Sequence, residues 1–148
     1  FRASLKESRE GTTVADEVRL CELYLGIEQL RLGERLQVQW QVAKEARDAP
    51  MPSLILQPLV ENAVYHGISR LPEGGLIRVS VNRRGSSILA VLDNPMPAGV
   101  VESAGNHMAL ANVEQRLLVT YGSSAGLKVI PGEGTFTVEL TYSPEQGL

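Results

Sequence analysis

Asn62 and His66 are the polar residues whose types and spacing best fit a binding site. They lie in residues 56–67, LQPLVENAVYHG, where helical spacing of about 100° per residue groups them with Tyr65 and Ser69. An amide and an imidazole beside a buried helix face are costly to bury unless something bonds to them. A ligand is one such partner, and solvent is the alternative. The opposite side of this helix is apolar and consists of Leu56, Leu59, Val60, Ala63 and Val64.

This helix needs a sheet to pack on, and alternating hydrophobic patterns predict one. Residues 36–42 alternate strictly, residues 77–81 and 88–92 form a predicted hairpin, and two further strands are expected at 127–130 and 135–142. A helix ending at Gly122 precedes the last two strands. The glycines and prolines of residues 93–106 predict a loop. We therefore expect an α/β two-layer sandwich, with one largely antiparallel sheet, one polar face and helices on the other.

The first predicted helix is apolar on two sides. Thr13 and Asp16 form a capping-box-like start, and helical spacing runs to about Leu32, before Gly33. One partner surface cannot easily cover both apolar stripes, so we expect this helix to join two modules. The first stripe contains Val14, Val18, Cys21 and Leu25; the second contains Leu20, Leu23, Tyr24, Ile27 and Leu30.

The composition fits one domain and argues against several function classes. The chain has 148 residues, 43% of them hydrophobic, which suffices for a core. Its net charge of -3 and scattered basic residues exclude nucleic acid as an expected partner. Cys21 is the only cysteine, which favours a reducing, cytoplasmic setting. No apolar run approaches the roughly 18 residues that cross a bilayer, so we expect this part not to be membrane-bound.

Four short motifs, in this order, resemble the ATP-binding domain of sensor histidine kinases. They are ENAVYHG (61–67), LDNP (92–95), GNHMALANVEQRL (105–117) and GEGTF (132–136). The same larger family includes gyrase and MutL, and the first helix resembles the LytS and YehU branch. The resemblance covers nearly the whole chain. It implies a Bergerat-type fold at residues 36–148, preceded by a helical connector at residues 1–35.

The resemblance implies ATP and Mg²⁺ as ligands and gives roles to the central helix. Asn62 matches the asparagine that coordinates magnesium through its side-chain oxygen, the ligand type that this cation favours. Glu61, which with Asn62 is a catalytic candidate, either contacts metal or water or is a structural acceptor. His66 either donates a hydrogen bond to phosphate or sugar, or is a satisfied or solvated histidine.

The second and fourth motifs are expected to hold adenine. Asp93 matches the aspartate that accepts a bond from the adenine amino group, and its alternative is a cap on the next turn. Asn94 is expected to shape that turn and is a further nucleotide-binding candidate. Thr135 matches the threonine that supports the aspartate and the adenine, often through water.

The third motif is expected to form a lid hinge and a phosphate-facing helix start. Gly105, His107, Leu110 and Asn112 are the nucleotide-binding candidates there. Arg116 lies one turn after Asn112 and either clamps phosphate or forms a surface salt bridge.

The sequence departs from the family pattern at four positions. Pro95, His107 and Ala109 occupy places where the family has glycine, which puts close backbone approach to phosphate in doubt. Pro58 stands where the family's hydrolases have a general-base glutamate one turn before the asparagine. This argues against an ATPase and fits a kinase, which positions the terminal phosphoryl group for another nucleophile.

That nucleophile is expected outside this chain. The only histidines, His66 and His107, belong to the proposed nucleotide site, so we expect no autophosphorylation by the chain alone. The absent start methionine suggests missing upstream residues. The resemblance implies upstream dimerisation and phosphoacceptor helices, a homodimer, a response regulator as partner, and a cytoplasmic domain of a protein anchored in the bacterial inner membrane. The alternative is a degenerate interaction module with weak or no nucleotide binding; a hydrolase ranks third.

Overall fold

A five-stranded mixed sheet under helices forms the described part of the chain. The structure, a computed structural model, describes residues 12–97 and 104–144; for residues 104–107 it describes the backbone alone. No helix in these ranges is long and apolar enough to cross a membrane. The elements are α1 (Val14–Leu32), β1 (Leu36–Val42), α2 (Lys44–Arg47), α3 (Leu56–Asn62), β2 (Gly75–Arg84), β3 (Ser87–Pro95), α4 (Ala104–Tyr121), β4 (Gly126–Pro131) and β5 (Thr135–Tyr142).

The strand order is β1-β2-β3-β5-β4, with β1 parallel to β2 and all other neighbours antiparallel. Alternate residues of β2, β3 and β5 are buried on the side that the helices cover, which we call the covered face. Polar side chains dominate the other side, the open face. The predicted sandwich is thereby confirmed. Residues buried on the covered face are Ile77, Val79, Val81, Ile88, Ala90, Leu92, Phe136, Val138, Leu140 and Tyr142.

α1 begins and ends where the sequence predicts. Thr13 and Asp16 form a complete capping box, and Gly33 ends the helix with a φ of 59°, a conformation that favours glycine. Its first stripe is buried in the same core as the sheet, whereas Leu23 and Leu30 are 62% and 88% exposed. α1 is thus packed on the domain along one side, and the boundary at residue 35 stays a prediction.

The predicted loop at residues 93–106 is wrong at both ends. β3 continues to Pro95 because the start of β5 pairs with it, with Asn94 opposite Phe136 and Pro95 opposite Thr135. α4 already begins at Ala104. Residues 98–103 lie outside the described residues.

Candidate functional site

Asn62 is buried where α3 changes its geometry. The regular helix ends at Asn62. Ala63–Gly67 then forms one π turn, and Ile68–Arg70 forms a 3₁₀ turn. Such wide turns inside helices are frequent at functional sites. The π turn breaks the predicted polar stripe, because Asn62 is 7% exposed while Tyr65 is 62% exposed. Of the two, the structure therefore places only the Asn62 amide in the interior.

His66 lies half-buried in this π turn. Its ring meets the Tyr65 ring edge-on at 4.8 Å between centroids, and the Arg70 guanidinium lies 5.3 Å from the centre of the Tyr65 ring. Burial, and then the charge of Arg70, lower the pKa of His66 below its ordinary value. The imidazole is therefore neutral at pH 7 and carries one N–H donor.

Gly67 brings the end of the π turn against the end of β3. A Cβ atom at Gly67 would lie 2.6 Å from the Pro95 carbonyl oxygen and 2.8 Å from Asn94 Nδ2, closer than real Cβ atoms approach. Gly75 makes similar room for the Pro95 ring, 2.4 Å from the place of a Cβ. Pro95, which departs from the family's glycine, is therefore accommodated by two glycines on neighbouring elements.

Asn94 is the polar side chain that this packing encloses on the covered face. It is 2% exposed, and its Nδ2 donates to the Pro95 carbonyl oxygen at 2.9 Å. Its Oδ1 is buried, and the structure gives it no hydrogen-bond partner. A buried acceptor without a donor costs free energy, and a ligand is one group that removes the cost. The sequence prediction counted Asn94 among the nucleotide-binding candidates and expected it to shape a turn.

Asp93 lies on the open face, which corrects its expected place beside a ligand under the helices. Residues 88, 90, 92 and 94 of β3 are buried, so the intervening Asp93 points the other way. Its carboxylate accepts a bond from Thr137 Oγ1 at 3.1 Å. It lines a depression of about 200 Å³ shared with Arg78 and Ser80, and a second one of about 300 Å³ shared with Asn94, Pro95 and Thr135.

Thr135 also differs from its expected place. It is exposed, it stands opposite Pro95 at the start of β5, and the buried alternation of that strand begins at Phe136. The threonine that supports Asp93 is Thr137, two residues later. Since β-strand side chains alternate, both threonines lie on the open face, away from Asn62.

Glu61 is exposed and faces α1. Its carboxylate accepts from Gln57 Nε2 at 3.1 Å, one turn earlier on the same helix. Burial raises the pKa of Tyr24 to about 12, and the charges of Glu28 and Glu61 add to the increase. This position supports the interpretation of Glu61 as a structural acceptor over contact with the metal.

α4 contributes an apolar side chain, Leu110, to the core and an arginine, Arg116, that binds the backbone of another loop. Leu110 is 7% exposed and faces the core, whereas Asn112 is exposed. Arg116 donates to the carbonyl oxygens of Ser53 and Leu54, contacts that the sequence did not suggest. Gly105 and His107 lie near the start of α4, but their side-chain surroundings lie outside the described residues.

Glu17 is a buried carboxylate that the sequence prediction missed. It has no exposed surface, and it accepts bonds from the backbone N–H groups of residues 54–57, at the start of α3. A signal was present, because Glu17 is three residues after Val14 and one turn before Cys21, within the stripe that is buried. A charged residue in a buried stripe needs several donors, and a helix start supplies them.

Among the described residues, no three His, Cys, Asp or Glu side chains lie close enough together to hold a metal ion. A magnesium ion that arrives with a nucleotide needs less, because phosphate oxygens and water supply most of its ligands. One buried amide oxygen, at Asn62, fits that arrangement.

Curated relatives of this chain are sensor histidine kinases. BtsS of Escherichia coli K12 is 33% identical over 139 residues, which are 93% of this chain and 24% of that protein. YpdA of the same organism is 32% identical over 137 residues, and LytS of Staphylococcus haemolyticus is 29% identical over 140. This chain is a homologue of the LytS-type sensor histidine kinases. It spans about a quarter of the length of these relatives, and no family model matches it.

Solved structures of histidine kinases contain a domain with the same fold as this chain. The nucleotide-free catalytic domain of the histidine kinase ThkA superposes with a TM-score of 0.66 at 10% identity, over 89% of this chain and 95% of that one. The histidine kinase AdeS of Acinetobacter baumannii gives 0.64 at 9% identity, over 88% and 64%. This homologue of LytS thus has the fold of histidine kinase catalytic domains.

Proposed function

We propose that this chain is the ATP-binding catalytic domain of a protein-histidine kinase. It holds ATP with magnesium and presents the terminal phosphoryl group to a histidine outside the chain. Homology to sensor histidine kinases and the catalytic-domain fold support the proposal. The structural observation that most supports this proposal is the buried amide oxygen of Asn94, which has no hydrogen-bond partner. Asn94 packs against the end of the helical segment that bears Asn62.

Asn94 is proposed to bind adenine in the role that the resemblance implied for Asp93. An amide oxygen accepts a hydrogen bond from an exocyclic amino group as a carboxylate does. Asn94 lies on the covered face with Asn62, whereas Asp93 lies behind the sheet. Binding adenine there satisfies a buried acceptor that otherwise has no partner, and this gain adds to the affinity.

Asn62 is proposed to hold the magnesium ion through its side-chain oxygen. When bound, the metal neutralises developing charge on the phosphates, which is the chemistry it supplies in phosphoryl transfer. The side chain itself only needs to present an oxygen at a fixed depth, and its burial at the end of α3 provides that. Glu61 is left out of the proposed site because it faces α1.

The remaining candidates are proposed to complete the nucleotide site. Neutral His66 donates to phosphate or sugar, and Leu110 offers an apolar surface to the purine. Gly105 and His107 stay predicted contacts at the start of α4, where backbone N–H groups face anions favourably. Asn112 stays a predicted contact further along the same helix. Thr135 is left out because it lies on the open face.

Transfer to an outside nucleophile fits the helix better than ATP hydrolysis. Pro58 lies in α3 one turn before Asn62, where it can take no proton. Catalysis then reduces to positioning and charge stabilisation, as in phosphoryl transfer generally. We therefore expect no stable phosphohistidine when the 148-residue chain alone is mixed with labelled ATP.

The partners are proposed to be upstream dimerisation and phosphoacceptor helices of the same protein, and a response regulator. ThkA has been solved in complex with its response regulator TrrA, which supports the second partner. The chain is proposed to be a cytoplasmic domain of a protein that is anchored in the bacterial inner membrane.

Calorimetry with ADP tests the proposal against the degenerate interaction module. The wild-type chain is titrated with ADP in magnesium and in EDTA, and Asn62→Ala is treated in the same way. We expect binding by the wild type that magnesium strengthens, and no strengthening in Asn62→Ala. Absence of ADP binding by the folded wild type would favour the interaction module, which the comparisons do not favour.

A further inference from the structure

One segment of backbone is held from two sides by charged side chains of two helices. This segment, residues 53–57, which we call the α3 entry, leads from a loop into α3. Glu17 of α1 binds its N–H groups, and Arg116 of α4 binds its carbonyl oxygens. Charged partners on backbone groups give hydrogen bonds stronger than neutral ones.

We call this pair of charged contacts the clamp, and on its amide side Glu17 accepts a hydrogen bond from every N–H group of residues 54–57. Glu17 Oε2 accepts from the N–H groups of Ile55, Leu56 and Gln57 at 2.9, 2.9 and 3.1 Å, and Oε1 accepts from Leu54 at 3.1 Å. No residue of α3 itself caps the helix with its side chain. The first N–H groups of a helix have no partner within it, so Glu17 supplies what α3 lacks. Its negative charge also lies at the positive end of the helix dipole.

The α3 entry holds a conformation that local sequence does not favour. Leu54 has a φ of 62°, the only positive value outside glycine among the described residues, although its side chain is 50% exposed. A leucine stays in that region only when surrounding bonds fix it. Both of its backbone polar groups are bonded here, the N–H to Glu17 and the carbonyl oxygen to Arg116.

The clamp is rigidly connected to the proposed site. Asn62 is six residues after Leu56, about 9 Å along the helix, and no loop intervenes. Asn112 lies one turn before Arg116 on α4. Because α1, α3 and α4 meet at the α3 entry, Glu17 decides where α3 begins relative to α1, and thus how deep the Asn62 amide lies.

We infer that Glu17 is a positioning residue for phosphoryl transfer, with Arg116 as its counterpart on α4. It acts through α3 on the magnesium-binding amide and touches neither nucleotide nor metal. This inference rests on the proposed function, since it concerns the same magnesium site. Adenine binding at Asn94 does not depend on it, because Asn94 is held by β3 and Gly67.

The test is the ratio of ADP affinity in magnesium to ADP affinity in EDTA, measured on Glu17→Gln. Glutamine keeps the shape but places an NH₂ donor against N–H groups, so the start of α3 must shift. We expect ADP affinity in EDTA to stay within about twofold and the magnesium ratio to fall about tenfold, as for lost outer-shell support of a metal ligand. Simple loss of folded protein lowers both affinities equally and leaves the ratio unchanged.

Glu22→Gln is the matched control, since Glu22 lies on the same helix and is exposed. We expect its ratio to equal that of the wild type, and Glu17→Asp, which keeps the carboxylate, to recover part of the loss. A wild-type ratio in folded Glu17→Gln overturns the inference. If Glu17→Gln does not fold, Arg116→Ala decides: a reduced ratio supports the clamp, and an unchanged one overturns it. A wild type that binds no ADP overturns the proposed function itself.

Discussion

Asp93 and Asn94 are consecutive residues at the end of β3, yet they face opposite sides of the sheet. Asp93 bonds Thr137 on the open face, while Asn94 is enclosed against Gly67 on the covered face. This one-residue alternation decides which side chain can meet a ligand held under the helices. It transfers the proposed adenine contact from the carboxylate to the amide.

Gly67→Ala tests the contact between the π turn and β3. The added Cβ would meet a backbone oxygen of Pro95, which cannot rotate away, and the Asn94 amide. We expect a loss of about 1–3 kcal/mol in the free energy of unfolding, as for overpacked interiors, with weaker ADP binding. Urea denaturation measures the first and calorimetry the second.

Gly26→Ala is the control for that substitution, because a Cβ at Gly26 meets nothing within 4 Å. Alanine in the middle of α1 is expected to gain about 1 kcal/mol of helix stability. If the two glycine variants were equally stable, the packing of Gly67 against Pro95 would not exist in solution.

Leu117→Ala and Leu118→Ala test the face that α4 turns to the sheet. Leu117 is fully buried and Leu118 is 42% exposed. We expect Leu117→Ala to cost about 2–5 kcal/mol of unfolding free energy. Leu118→Ala should stay within about 0.5 kcal/mol of the wild type. Similar losses from both substitutions in urea denaturation would mean that α4 is rotated.

His66 is expected to make stability depend on pH. Its pKa in the folded chain is below the ordinary 6.5, so the unfolded chain takes up a proton first as the pH falls. The contribution of neutral His66 is therefore present above pH 6.5 and is lost as the pH falls through the folded pKa. Urea denaturation of wild type and His66→Gln at pH 7 and pH 5 should show the advantage of the wild type shrinking at pH 5. An advantage that grows towards pH 5 would mean a raised pKa.

Most of the fold follows from periodicity in the sequence. The alternation of residues 36–42 and 135–142 gave β1 and β5 at their observed bounds, and Thr13 with Gly33 gave the ends of α1. These patterns are local, so neighbouring residues suffice to read them. The depth of Asn62 did not follow, because helical spacing placed it on the polar side of its helix, together with Tyr65.

The site was less predictable because it depends on contacts between distant residues. Residues 88–92 are all apolar, so the sequence does not show which of them face the helices. The structure buries residues 88, 90 and 92, and the same alternation continued by two residues places Asn94, and not Asp93, under the helices. The motif resemblance identifies Asp93 and Asn94 as candidates but does not say which of the two faces the helices. Arg116 reaches carbonyl groups 62 and 63 positions away, which no local pattern reveals.

The central claim is that the covered face holds the nucleotide and that Asn94 contacts its base. ADP affinity in magnesium, measured by calorimetry on wild type, Asn94→Ala and Asp93→Ala, tests this most directly. We predict that Asn94→Ala weakens binding about tenfold or more, the size of one lost buried hydrogen bond to ligand. Asp93→Ala should bind within about twofold of the wild type. Loss of binding in Asp93→Ala, with Asn94→Ala unaffected, would contradict the account.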